Sequence, residues 1–280
     1  MKKILVPTDF SKSALKAFLY AKELAKTLGY GLKVVHINTG NLSTNQPLIL
    51  QSEKSRQEVL TEMLNEFVTL EDVNEKTNIL TTQKIETAIY EAINITKKIV
   101  LLSEEEEVEL LVMGTTGANN ALDKMLGSIA SSVAQRAHCP VFLIPENVKY
   151  QDFENVLYAS NYESADEILI ESIIDFGNIF RVTMHFVHIE EQDNYENIED
   201  TIFYKLFEKG DPAFSFNIVN IKNRSVMNGL YQYAEENEVD LIVLVNRQRN
   251  VLENFFQLSL TKKMARTTTL PLMVFHLLDD

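Results

Sequence analysis

The chain is written twice, and that duplication limits its fold more than any other feature. "KKILVPTDFS" at 2–11 and "ENVLYASNYES" at 154–164 share an apolar run followed by a polar turn. Asp9 then aligns with Asn161 and His36 with His188, both pairs 152 residues apart. Further along, "EEEEVELLVMG" matches "EENEVDLIVLV" and "HCPVFLIP" matches "TLPLMVFH", now with an offset of 131. The second copy has therefore lost 21 residues between its second strand and its penultimate one. Two periods of this length mark duplicated domains, because solenoid repeats are much shorter. The polar, proline-led stretch "PENVKYQDFEN" at 145–155 is the expected seam, giving domains 1–147 and 153–280.

Within the first copy, apolar runs alternate with helical patterns. "KILVPT" reads as a buried strand. Ser11 caps a helix to Thr27, with Ala14, Leu15, Phe18, Leu19, Ala21 and Leu24 at helical spacing and Gly29 and Gly31 as its stop. "LKVVHI" is a second strand, and a polar loop follows from 38 to 47. The pattern then predicts a helix over 52–70, a strand near "TNILTTQ" and a helix from about Glu86. "VELLVMG", "GSIASSVAQRA" and "CPVFLIP" complete it as strand, helix and strand. Strands apolar on both faces need helices on both sides, so the class is α/β: two tandem open parallel five-stranded sheets flanked by helices. Right-handed crossovers put the loops after strands one and four at the carboxyl edge, where ligands bind in such sheets.

Composition narrows the function. The formal charge of −14 opposes nucleic acid and anionic membranes, so neither is an expected partner. Cys139 is the one cysteine, so no intrachain disulfide forms and a reducing compartment fits best. "MKKILVPTDFS" lacks the long apolar core of a signal peptide, and no later run approaches a membrane span, so the expected location is cytoplasmic.

The nine glycines are unevenly spread: Gly114, Gly117 and Gly127 lie close together, with Ser128 next. Gly114 ends a strand, Gly127-Ser128 opens a helix, and 12 residues lie between them. Glycine allows close backbone approach, and the unpaired first amides of a helix favour an anion, so these are the parts of a phosphate cradle. They are equally the parts of an ordinary strand end and helix start, with Ser128 as cap. Neither Gly-Lys-Ser/Thr nor G-x-G-x-x-G after the first strand is present.

Gly114-x2-Gly117-x9-Gly127-Ser128, set between "LLVMGTTG" and "LGSIASSVAQRAHCPVFLIP", resembles the nucleotide-binding pattern of the universal stress protein family. "ILVPTDFS" and "VVHI" resemble its first two strands, and the resemblance extends over both halves, as in a tandem member. It implies an adenine-nucleotide alpha hydrolase-like, Rossmann-like fold and an ATP-type ligand (ATP, ADP or AMP) in the first half, with magnesium accompanying the phosphates. By that resemblance Gly117, Gly127 and Ser128 hold the phosphates and Gly114 sits near the ribose. Pro7, Thr8 and Asp9 flank ribose and adenine, and Ile37, just past the second strand, offers adenine its backbone. Met113 and Ile129, beside Gly114 and Ser128, complete the set. The family also implies fifth strands that pair between subunits. "CPVFLIP" and "LPLMVFH" are then expected to form an internal pseudo-dimer, with a homodimer as the further assembly.

The second half departs from this pattern. Gly114, Gly117 and Gly127 become Val245, Gln248 and Leu258, Asp9 becomes Asn161, and only Ser128 keeps its type as Ser259. Phe255 and Phe256 would fill a pocket there, and Arg247 and Arg249 are either solvated or an anion site by charge. His185 and His188, three apart on a strand, point to opposite faces and suit no metal, while His36 and His188 read as structural. His138 lies at a helix end, Glu104 to Glu107 form a solvated helix end, and Cys139 is an inert core thiol. The expected function is a nucleotide-dependent stress sensor or regulator acting on a protein partner. The alternatives are a slow ATPase or self-phosphorylating enzyme using Thr115, Thr116 or Ser128, and a ligand-free interaction module.

Overall fold

A strand with neighbours on both sides and helices on both faces must be apolar throughout, and β1 (Lys3–Pro7) is buried at every residue. The computed structural model describes residues 1–39, 53–70, 84–115, 128–159, 167–190, 213–247 and 269–277. They fall into two units, Met1–Tyr150 and Gln151–Asp280. In the first, β1 is followed by α1 (Lys12–Leu28), β2 (Gly31–Asn38), α2 (Glu53–Thr69), β3 (Ile85–Glu91), α3 (Ile95–Leu102), β4 (Val108–Gly114), α4 (Ser128–Val133) and β5 (Val141–Ile144). Its strands lie in the order β3-β2-β1-β4-β5, all parallel. The second unit runs β6 (Asn155–Ala159), α5 (Glu167–Phe180), β7 (Thr183–Glu190), β8 (Ser215–Lys222), α6 (Val226–Glu236), β9 (Leu241–Arg247) and β10 (Leu272–Leu277). Its order β8-β7-β6-β9-β10 is the same topology, again parallel.

The registers repeat as well. Ile4 pairs with Leu110 as Val156 does with Leu241, and Leu111 with Val141 as Ile242 does with Leu272. Leu32 pairs with Ile85 as Met184 does with Phe216. The offset changes between β7 and β8, so the missing residues belong to that connection.

Local chemistry explains most boundaries. Ser11 caps α1, its Oγ accepting from the Ala14 amide at 3.1 Å. Gly29 ends it at φ 69, donating its amide to the Ala25 and Lys26 carbonyls. Gly31 is not part of the stop: it is the first residue of β2, and a Cβ there would lie 2.6 Å from Met1 Cε. On α1, Ala14, Ala17, Ala21 and Ala25 let the helix lie close to the sheet while Phe18 and Leu24 fill the core. Burying each of those two large side chains is worth roughly 1.5–3 kcal/mol.

The third strand is where the pattern misleads. The helix expected from Glu86 is instead β3, and the next helix starts at Ile95 behind the cap Asn94, which accepts from the Lys97 amide at 2.9 Å. Ile85, Ala88 and Ile89 have the i, i+3, i+4 spacing of a helix. β3 is only half-buried, and its pairing with β2 from Leu32↔Ile85 to Asn38↔Glu91 decides its state. "TNILTTQ" lies outside the described residues.

The acidic run also differs from expectation. Glu104–Glu107 joins α3 to β4 at the amino edge of the sheet, where Glu105 and Glu107 pair with lysines. Glu107 and Glu86 hold the Lys3 ammonium at 2.6 and 2.7 Å, Glu105 holds Lys33, and Glu104 lies 3.0 Å from His138. Glu107 keeps Lys3 charged to higher pH than usual, and its own carboxyl is held below the usual range by Lys3. α4 ends at Val133, so His138 answers Glu104 rather than a helix terminus.

The polar seam carries aromatic anchors. In the first unit Tyr150 sets its ring edge-on to Tyr20 at 5.1 Å and its hydroxyl 3.0 Å from Thr27 Oγ1. In the second, Phe153 is buried against Phe176 and Phe180, and Asp240 accepts from the amides of Glu154 and Asn155.

His185, in β7, is only 5% exposed, with Tyr233 Oη at 2.8 Å and Asn155 Oδ1 at 3.4 Å. Burial pulls its pKa below the ordinary 6.5. The unfolded chain therefore takes up the proton first as pH falls, and stability drops between 6.5 and the lower folded value. Urea midpoints measured from pH 7.5 down to 5 should fall for the native chain, and His185→Gln should flatten that part of the profile.

Candidate functional site

The chain builds outward from β1 through β2 to β3, then returns to the far side of β1 with β4 and β5. Loops leaving β1 and β4 therefore diverge, and the crevice at their carboxyl ends is the ligand position of open α/β sheets. Pro7, Thr8 and Asp9 reach it from β1, Met113, Gly114 and Thr115 from β4, and Ile37 from β2.

Thr8 is buried and fully engaged. Its amide donates to the Val35 carbonyl at 2.8 Å, and its Oγ1 accepts from the Phe10 amide at 3.0 Å. Its carbonyl lies 2.9 Å from His36 Nδ1, which must carry the proton because a carbonyl only accepts. The ladder between β1 and β2 ends there. Gly31 donates to Lys2 and Val35 accepts from Thr8, so odd-numbered residues of β2 face β1. Leu32 donates to Lys84 and Asn38 accepts from Ala92, so even-numbered ones face β3. The next rung would take the Ile37 amide to the Thr8 carbonyl; that bond is not formed, and the His36 ring bonds the carbonyl instead. Ile37 thus points an N–H and a C=O past the end of β1, with no ladder partner for them among the described residues. Ile37 lies inside β2, not beyond it as expected, and its side chain is buried.

Asp9 is exposed, and its Oδ1 accepts from the Ser11 amide at 3.1 Å, which holds the carboxylate at the start of α1 where the helix dipole favours it. Phe10 has φ 61, a left-handed conformation that costs a bulky side chain roughly 1–2 kcal/mol. Its ring is held by His36 at 4.6 Å and, edge-on, by Phe67 at 5.8 Å.

Gly114 has a packing reason of its own. A Cβ there would sit 2.3 Å from Ser13 Oγ and 2.7 Å from the Ser13 carbonyl oxygen, so only glycine lets the first turn of α1 rest on the end of β4. Met113 and Thr115 are buried, and the Thr115 amide donates to Ile144 at 3.1 Å. Ser128 is the first residue of α4, and Ile129, next on it, is half-buried. Gly117, Thr116 and Gly127 lie outside the described residues, as do Asn161, Gln248, Arg249, Phe255, Phe256, Leu258 and Ser259. In the second unit Val245 pairs with Phe275 as Gly114 pairs with Ile144, putting a side chain where the first unit has none. Arg247 is the last residue of β9, and His188 stands at the His36 position of β7.

Phe10, Ser13 and the clamp made by His36 were not legible as site residues. Phe10 and His36 look like ordinary core aromatics in sequence, and only the positive φ and the closed ladder show their task. Cys139 is buried, and that burial pushes its thiol up to about 12, which suits an inert side chain. No group of three or more His, Cys, Asp or Glu able to hold a metal occurs among the described residues.

Gly114→Val, which copies the second unit, should push α1 off β4 and destabilise the chain by about 1–3 kcal/mol. Urea unfolding gives the magnitude, and amide exchange should quicken first over 11–14.

The model of the universal stress protein family matches residues 1–145. A universal stress protein of Methanocaldococcus jannaschii (MJ0531) is 30% identical over 156 residues, covering 53% of this chain and 84% of that protein. One from Synechocystis sp. (Slr1230) is 21% identical over 302 residues, covering 99% and 100%. The solved structure of a universal stress protein from Archaeoglobus fulgidus shares the fold with a TM-score of 0.73 over 98% of each chain, at 16% identity. No helix among the described residues is long and apolar enough to cross a membrane. With the match running through more than half of the 280 residues, this chain belongs to the universal stress protein family.

Proposed function

We propose that residues 1–147 bind an adenine nucleotide, ATP or the related ADP or AMP, and that the protein is a nucleotide-dependent regulator in the stress response. The observation that carries the reading is the Ile37 N–H and C=O left over at the end of the β1–β2 ladder. One donor and one acceptor on a single residue complement the adenine edge, whose N1 accepts and whose N6 amino group donates. Thr8 and Asp9 stand beside them, and the Asp9 carboxylate accepts from the ribose hydroxyls. Gly114 keeps the β4 side of the crevice free of a side chain. Gly117, Gly127 and Ser128 hold the phosphates by the family's glycine spacing, with Met113 and Ile129 backing the loop and magnesium arriving with the phosphates.

The domain 153–280 repeats the strand order with Val245 at the position of Gly114, and we read its motif as degenerate. Its part is support for the first unit or contact with a protein partner. No residue is assigned to catalysis. Thr115, one of the hydroxyls considered as a phosphoryl acceptor, is buried with its amide tied to Ile144. The single cysteine and the charge of −14 suit the cytoplasm and a protein that avoids nucleic acid.

Mass spectrometry of ligand released from gently purified protein, followed by calorimetric titration with ATP and magnesium, tests this. The expected result is about one adenine nucleotide per chain. Gly127→Val should abolish binding, and Asp9→Ala should weaken it about tenfold, as loss of a hydrogen bond to a charged group does. Unchanged affinity in Gly127→Val overturns the phosphate assignment. No released nucleotide and no titration overturn the function.

A further inference from the structure

The apolar arc of α2 is wider than the arc its own unit covers. Leu64 and Phe67 are buried, Phe67 against the rings of Phe10 and Phe18 at 5.8 and 5.3 Å, which fixes the helix to the site loop and to α1. Successive helical residues turn by about 100°, so Val59, Met63 and, at the helix end, Leu70 fall within about 40° of one another, on the flank of Phe67. All three are exposed, at 54%, 41% and 44%. Beside them Glu58, Glu62 and Glu66 make an exposed ridge at i, i+4, i+8. An apolar stripe with a one-sided acidic rim is the pattern of a helix that receives another helix.

We infer that this face of α2 docks a basic amphipathic helix of a partner protein. Its apolar side chains cover Val59, Met63 and Leu70, and its Lys or Arg residues at i, i+4 spacing meet the glutamate ridge. Charge selects this occupant. An anionic membrane would face both the ridge and a chain of −14. A second copy packed antiparallel across a two-fold axis would set the ridge against itself. The surface does not depend on whether nucleotide binds, so the two readings succeed or fail separately.

The test is fluorescence anisotropy of the full chain with a labelled 18-residue Leu/Lys amphipathic helix, and with its Leu/Glu counterpart. The Lys peptide should bind and the Glu peptide should not. Val59→Ser with Met63→Ser, and separately Glu58→Lys with Glu62→Lys, should each weaken binding at least about tenfold. These positions are exposed, so the thermal midpoint should stay unchanged in both pairs. No binding of the Lys peptide overturns the proposal, and so does binding that neither pair alters, since that is diffuse attraction to an acidic protein. Light scattering that finds a dimer abolished by the serine pair, or capture on anionic vesicles abolished by it, also overturns it, in favour of self-association or a lipid surface.

Discussion

The Thr8 carbonyl accepts from the His36 ring at the point where the β1–β2 ladder ends, and that bond ties the two strands together beside the site. Several features meet there. β1 stops while β2 continues, so Ile37 carries its amide and carbonyl beyond the strand that would have paired them. Thr8 is held from three sides, which lets the chain turn through a left-handed Phe10 into the cap of α1. The strain at Phe10 is offset by ring contacts with His36 and Phe67, so the imidazole at the ladder's end also supports the turn.

The two edges of the first sheet do different work. At the amino edge Lys3 and Lys33 are buried; Lys3 is answered by both Glu86 and Glu107, and Lys33 by Glu105, whose loss would leave the Lys33 ammonium with little water near it. At the carboxyl edge the groups turn outward: an exposed Asp9, a glycine strand end, and backbone with no rung to join. The ion pairs lie at one edge, and the crevice where the strand order reverses lies at the other.

Comparison of the two units separates scaffold from site. Their registers agree residue for residue on both sides of the central strand, because a strand buried on both faces cannot slip without exposing its apolar side chains. The site has no such protection. Val245 takes the place of Gly114 with the strand pairing intact, so the sheet tolerates a side chain at a position where the first unit has none.

The duplication, the parallel sheets, α1 with its Ser11 cap and Gly29 stop, and the cluster of Gly114 with Asp9 at one sheet edge were all legible in the sequence. Each rests on local chemistry or on apolar periodicity, which a chain carries wherever it goes. The same periodicity misplaced β3, because an edge strand with Ile85, Ala88 and Ile89 has helical spacing and only its pairing with β2 distinguishes the two states. Glu104 and Glu106 are exposed as the solvated reading has them, whereas Glu105 and Glu107 answer lysines 72 and 104 residues away. The reason Gly114 must be glycine is likewise a tertiary one, the first turn of α1 pressed on the end of β4. So is the state of the Ile37 backbone, which has no ladder partner among the described residues while a ring 28 residues from Thr8 bonds the carbonyl opposite it. Local patterning was enough for β1, β2, β4, β5 and α1 and for the sheet edge that holds the polar turns. The state of β3, and which backbone groups lack a rung among the described residues, came from strands and side chains brought together from distant parts of the chain.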